Sequence, residues 1–225
     1  MLLDLYDTLV WADWVALRSG RDRLAVRAGA EIAAAREQWA QTHDRRMRGL
    51  NKGLEGDLAA VLEACGVVTT PDLLRDLAAE EYANWAGGVS PYEDVVPELS
   101  KLRDKGYRLA IVSNASCEAG GVVAALGLDA LVDAVVLSCD IGWLKPEPAI
   151  LQAALHRLEV AAPEQALLVD DLPTNLDAAA TLGLQTVLMA RPGGRTVASP
   201  APDGGPRRVH PRITRLAELW PLPSS

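Results

Sequence analysis

From residue 95 onward, short apolar runs recur at intervals long enough to hold a helix between them. They occupy residues 108–112, 135–137, 167–169 and 186–189. Helix-forming stretches at 95–105, 148–158 and 176–182 alternate with these runs, with Pro148 opening one and Gly106 and Gly183 closing two others. Parallel strands cannot be joined by a tight turn and need a crossover of about a dozen residues or more. This rhythm therefore constrains the fold to a parallel sheet with helices on both faces. The start of the chain, Met1-Leu2-Leu3-Asp4, supplies one further strand ending near Asp4.

The rhythm is absent between that first strand and residue 87. From Trp11 to about Trp85 the composition is helical, and Leu54, Leu58, Val61, Leu62 and Cys65 mark one buried helix face. Helix breaks are expected at 51–53 and 66–71, and Gly87-Gly88-Val89-Ser90-Pro91 reads as a hinge-like linker. The expected fold class is α/β, a Rossmann-like parallel-sheet core with an inserted α-helical cap. Residues 1–10 plus 91–225 would form the core and 11–90 the cap. Residues 191–206 are rich in Gly and Pro and read as a loop; a last short strand and helix are expected over 209–220.

Composition excludes several classes. A net charge of −8 argues against a nucleic-acid partner, and no apolar run has the length of a membrane span. The first ten residues contain Asp4 and Asp7 and no basic lead, unlike a secretion signal. Cys65, Cys117 and Cys139 form neither zinc spacing nor a disulfide framework, so a cytoplasmic location is expected. The sequence leaves the oligomeric state open.

In open parallel sheets, ligands bind beyond the carboxyl ends of the strands. The polar residues there are Asp4 with Tyr6, Asp7 and Thr8; Ser113 and Asn114; Lys145; and Asp170 with Asp171. Each has an ordinary structural reading: a turn acid, a helix cap, a loop lysine, a helix start. Four such groups each following its own apolar segment suit phosphoryl transfer. Asp4 would attack phosphorus while Ser113, Asn114 and Lys145 hold phosphoryl oxygens. Asp170 and Asp171 would join Asp4 around a hard cation, Mg²⁺, since carboxylate oxygen suits that ion. The partner would be a small anionic molecule.

Asp4 to Val10, Ile111-Val112-Ser113-Asn114, Lys145-Pro146 and Leu168 to Asn175 together resemble the four motifs of the haloacid dehalogenase-like hydrolase superfamily, in its subgroup with a helical cap after the first strand. The resemblance implies a hydrolase with Asp4 as nucleophile, Ser113 on phosphate and Lys145 pairing with both. It also implies Mg²⁺ held by Asp4, Asp171 beside Asp170, and the main-chain carbonyl of Tyr6. Family phosphatases carry an acid–base Asp where this chain has Tyr6, and Gly where it has Asp7. A phenol with a pKa near 10 is a poor proton shuttle at neutral pH. Asp7 is not expected to replace the missing acid, because adjacent side chains of an extended segment diverge.

Tyrosine at position 6 matches the metal-independent 2-haloacid dehalogenases, whereas the Asp170-Asp171 pair, and Leu151 where those enzymes carry a tyrosine, match a metal-dependent phosphatase. A slow Mg²⁺-dependent phosphohydrolase is the favoured expectation. A dehalogenase and a phosphate-binding module without efficient turnover are the alternatives. Residues 18–52 hold nine Lys or Arg against four acids, which either steer anions or pair along helix faces. Trp11 and Trp14 either wall the substrate pocket or pack the hinge. His43, His156 and His210 show no partner spacing.

Overall fold

The computed structural model describes residues 1–194 and 208–219. Its strands are β1 (Leu2–Leu3), β2 (Val10–Ala12), β3 (Val89–Pro91), β4 (Ala110–Ser113), β5 (Ala134–Leu137), β6 (Leu167–Asp170), β7 (Gln185–Met189) and β8 (Arg212–Ile213). Six of them form one sheet, in the order β5-β4-β1-β6-β7-β8, with every pairing parallel. The helices are α1 (Trp14–Ala28), α2 (Ile32–Gln41), α3 (His43–Met47), α4 (Leu54–Ala64), α5 (Pro71–Gly88), α6 (Val95–Asp104), α7 (Ala119–Ala125), α8 (Ser138–Ile141), α9 (Pro148–Arg157) and α10 (Pro173–Thr181). The fold is the expected α/β Rossmann-like core.

Alternation along the strands explains why both faces are covered. Leu3, Ile111, Val169 and Val187 point into one cluster with Val95, Leu99 and Leu102 of α6 and Val122 and Val123 of α7. Leu2, Ala110, Val112 and Leu168 point into the other, with Ile150, Leu151 and Ala154 of α9 and Leu176 and Ala179 of α10. Each large aliphatic side chain removed from water there contributes roughly 1.5–3 kcal/mol. Pro148 and Pro173 sit in the first turns of α9 and α10, where the missing N–H costs nothing.

Helices α1 to α5 lie between β2 and β3 in sequence and build a separate cluster from Leu24, Ala35, Leu54, Leu58, Leu62 and Leu77. Leu54, Leu58, Val61 and Leu62 are buried as their spacing requires, and Cys65 is partly buried against the cluster. Asp13 caps α1 by accepting from the Val15 and Ala16 N–H groups, Glu31 caps α2, and Thr70 caps α5.

Several expectations are corrected. Trp11 and Ala12 are not helical, Gly87 and Gly88 close α5 rather than open a linker, and residues 10–12 pair antiparallel with 89–91 as a two-stranded ribbon at the root of the helical insert. Two three-residue stretches far apart in the chain, too short to show alternation, hid this pairing from sequence. Helices α7 and α8 were not foreseen, because Ala-Gly-Gly-Val and Ser-Cys-Asp-Ile carry weak helical patterns. His210 has partners after all: it lies between Thr186 Oγ1 (2.8 Å) and Asp177 Oδ1 (3.0 Å), tying the segment before β8 to β7 and α10. Most of the expected loop at 191–206, and Trp220 at the end of the last expected helix, fall outside the described residues.

Candidate active site

Asp4 extends β1 by one residue. Its N–H donates to the Val169 carbonyl (2.9 Å), so the sheet fixes the backbone at the point where the side chain leaves it. The next residues turn back sharply, with the Leu9 and Val10 N–H groups donating to the Leu5 carbonyl. Asp7 has φ +57°, so the turn is left-handed there rather than extended. Divergence along an extended segment therefore says nothing about the direction of its carboxylate.

Lys145 joins the first strand to the fourth motif. Its Nζ donates to Asp4 Oδ1 (2.6 Å) and to Asp170 Oδ2 (2.7 Å), and all three side chains are nearly excluded from solvent. Burial opposes the lysine charge, but Asp170 and Asp4 more than offset it and hold Lys145 above the ordinary lysine range. Burial pushes the Asp4 carboxyl up to about 6, with Lys145 pulling it down and Asp170 pushing it further up. Asp171, partly buried, is pushed up to about 8 by burial and then by Asp4 and Asp170. One ammonium thus bridges two buried carboxylates, with Asp171 next in the chain.

Asp170 is placed differently from the cation ligand it was expected to be. Its Oδ2 accepts from Lys145, and its Oδ1 accepts from the Leu172 N–H (2.9 Å) and from Asn175 Nδ2 (2.9 Å). Both oxygens are occupied by donors, which fits an anchor for the lysine. Asn114 departs in the same way from the phosphate contact expected of it. Its Oδ1 accepts from the Lys145 N–H (2.7 Å) and its Nδ2 donates to the Lys145 carbonyl (2.7 Å), so the amide clamps the lysine backbone. Ser113 is buried at the end of β4, in register with Leu137.

Among the described residues no three or more His, Cys, Asp or Glu side chains group closely enough to hold a metal ion by themselves. The donors that remain after Asp170 is set aside are the carboxylates of Asp4 and Asp171 and the main-chain oxygen of Tyr6. That hard-oxygen set fits Mg²⁺, which is commonly held by one or two carboxylates, with waters and substrate phosphate completing its shell.

Tyr6 packs between two tryptophans of the insert, with ring centroids 5.7 Å from Trp14 and 5.7 Å from Trp85. Burial, then Glu118 and Asp4, push its phenol well above the ordinary tyrosine range, so it stays protonated. Trp14 therefore packs at the junction and also lines a cavity of about 550 Å³ with Trp39, Trp85, Arg18, Arg21 and Arg36. Trp11 is 44 % exposed on β2 and lines a different pocket.

Sequence reasoning missed Glu118 and its contact with Arg21. Buried Glu118 accepts from Ser116 Oγ (2.6 Å) and from Arg21 Nη2 (3.3 Å), and Arg21 Nε donates to Glu81 (2.7 Å). No spacing connects residues 97 apart. Four of the nine basic residues at 18–52 form ion pairs among the described residues: Arg21 with Glu81 and Glu118, Arg27 with Glu80, Arg36 with Asp22 and Arg48 with Glu147.

Comparisons with known proteins agree with this architecture. The haloacid dehalogenase-like hydrolase family model matches residues 1–183. The glyceraldehyde 3-phosphate phosphatase of Methanopyrus kandleri is 28% identical over 195 residues, covering 85% of this chain and 83% of that protein. The (S)-2-haloacid dehalogenase 4A of Burkholderia cepacia is 33% identical over 135 residues, covering 60% of this chain and 55% of that protein. The crystal structure of 2-haloacid dehalogenase from Pseudomonas syringae pv. Tomato DC3000 superposes with a TM-score of 0.70 at 22% identity, covering 97% of this chain and 94% of that one.

Proposed function

Because this chain belongs to the haloacid dehalogenase-like hydrolase family, we propose that it is a Mg²⁺-dependent phosphohydrolase acting on a small phosphorylated metabolite through an aspartyl-phosphate on Asp4. The observation that carries this reading is the buried contact of Lys145 Nζ with both Asp4 Oδ1 and Asp170 Oδ2, which joins the end of β1 to the acidic pair at the end of β6. A site built only to displace halide with Asp4 has no need of Asp171 at that place. Residues 11–90 act as a cap over a catalytic core made of 1–10 and 91–225.

Asp4 Oδ1 is held by Lys145, which directs the other carboxylate oxygen toward phosphorus for in-line attack. Ser113 and the Lys145 ammonium stabilise the phosphoryl oxygens, Asp170 holds the lysine and is itself bonded by Asn175, and Asn114 holds the lysine backbone. Asp4, Asp171 and the Tyr6 carbonyl would hold Mg²⁺, whose charge would offset that of the phosphate and of the two acids. Tyr6 is the weak point. Its protonated phenol cannot act as a base on water, so the covalent intermediate breaks down slowly and esters with good leaving groups are favoured. Three free cysteines fit a reducing cytoplasm.

The second reading is 2-haloacid dehalogenation, favoured by Tyr6 itself, because halide leaves without a proton. A panel measuring phosphate and halide release, with Mg²⁺ and with EDTA, separates the two. The phosphohydrolase reading expects phosphate release that requires Mg²⁺ and disappears in Asp4→Asn. Halide release in EDTA, or phosphate release that survives Asp4→Asn, refutes it. Phosphate binding without any turnover would identify a binding module instead.

A further inference from the structure

The helical insert touches the lysine loop at one charged point. Arg48, just after α3, donates from Nη2 to Glu147 Oε1 (2.8 Å) and from Nη1 to Glu147 Oε2 (3.1 Å), a bidentate pair. The same Nη1 donates to the Gly142 carbonyl (2.9 Å). Glu147 Oε2 also accepts from the Leu144 N–H (2.9 Å), so this carboxylate closes the loop on itself around Lys145. The guanidinium therefore grips both ends of the segment 142–147.

The neighbouring contacts set its approach. Ser138 Oγ donates to the Met47 carbonyl (2.7 Å) and accepts from the Ala115 N–H (3.0 Å), which links α3 to the loops after β4 and β5. Gly49 passes so close to the core that a Cβ there would lie 1.9 Å from the Cys139 carbonyl oxygen. From the loop, Lys145 reaches Asp4 at 2.6 Å.

We propose that Arg48 is a positioning residue for the reaction: seated on Glu147 and Gly142, it fixes the loop that delivers Lys145 to the nucleophile, so that the lysine–aspartate pair is fully assembled only when the cap is docked. This rests on the hydrolase reading with Asp4 as nucleophile and extends it to the cap. Arg48 and Glu147 are partly exposed, at 25% and 36% of their side chains, so the pair contributes little to stability. Its effect is geometric. A displacement of about 1 Å at a reacting group costs up to roughly a hundredfold in rate.

The test compares the wild type with Arg48→Ala, Arg48→Lys, Glu147→Gln, the double variant Arg48→Ala/Glu147→Gln, and the charge swap Arg48→Glu/Glu147→Arg. Phosphate release from p-nitrophenyl phosphate with Mg²⁺ is followed, with 2-chloropropionate as a halide substrate. Hydrogen exchange of residues 142–147 is measured in parallel. Arg48→Ala and Glu147→Gln each lower kcat at least about tenfold with KM changed less than about threefold. The double variant loses no more than either single one, Arg48→Lys keeps part of the rate, and the swap recovers much of it. Exchange at the Leu144 amide accelerates in Arg48→Ala.

An unchanged kcat, a loss expressed mainly in KM, additive losses in the double variant, or unchanged exchange over 142–147 overturns the proposal. If the wild type releases halide and no phosphate, the phosphohydrolase reading fails. The positioning role is then decided on halide release, since Asp4 is the nucleophile in both reactions. If neither product forms, hydrogen exchange decides it.

Discussion

Replacing Lys145 by methionine keeps most of the side-chain volume and removes the charge that faces Asp4 and Asp170. At the observed 2.6 Å and 2.7 Å, each contact has a gross Coulomb attraction of about 6 kcal/mol at an effective dielectric constant near 20. Taking the ammonium out of water cancels much of that sum. Deleting one partner of a buried pair costs about 3–5 kcal/mol, because the remaining charge is left uncompensated. In a chain of 225 residues, each kcal/mol moves Tm by about 2–4 °C, so Lys145→Met should lower Tm by about 6–20 °C.

The pH dependence has a definite sign. Asp4 already stands at about 6 with the lysine present, and removing the lysine raises its folded-state pKa further. An acid whose folded pKa lies above its unfolded value destabilises fully above the folded pKa and not at all below the unfolded one. The deficit in Tm is therefore largest near pH 8 and shrinks toward pH 4. Mg²⁺ should return more of the loss in the variant than it adds to the wild type. Thermal unfolding followed by circular dichroism, in EDTA and in Mg²⁺, measures all three effects. A loss below about 2 °C at pH 7.5 in EDTA, or a loss that grows on acidification, refutes the view that Lys145 counterbalances these acids.

Tyr6→Asp supplies the acid–base carboxylate and should raise Mg²⁺-dependent phosphatase turnover by about 10²–10⁴-fold, while lost packing on Trp14 and Trp85 lowers Tm; steady-state kinetics with no gain would place the defect elsewhere. Asp57 is buried with its Oδ2 lacking a partner among the described residues, and burial pushes it up to about 6. Asp57→Asn should therefore raise Tm at pH 8, with the gain fading as pH falls below the raised pKa and gone near pH 4; an equal gain at both pH values would contradict the desolvation account. Gly49 and Gly29 both have positive φ, +64° and +81°, but only Gly49 meets a backbone carbonyl. Urea unfolding should show Gly49→Ala costing more than Gly29→Ala, which loses about 1 kcal/mol through strain alone.

The sequence placed the strand ends well. Asp4, Ser113, Lys145 and Asp170 each follow an apolar stretch, and a parallel sheet necessarily brings such ends to one rim. Period-two and helical patterns extend over several residues, so they survive in the linear chain. The ribbon of β2 and β3 did not, because two three-residue strands 79 residues apart show no pattern of their own.

What the sequence determined by itself was the fold class and the presence of the inserted helices, since these follow from local periodicity. Tertiary structure alone decided which groups the side chains of the site meet. Asp170 bonds Lys145 and the Leu172 N–H, and the Asn114 amide bonds the Lys145 backbone. Tertiary structure also brought Arg48 across 99 residues to Glu147. Hydrogen-bond partners are set by distance and angle between segments remote in sequence, and these exist only once the sheet and insert have packed.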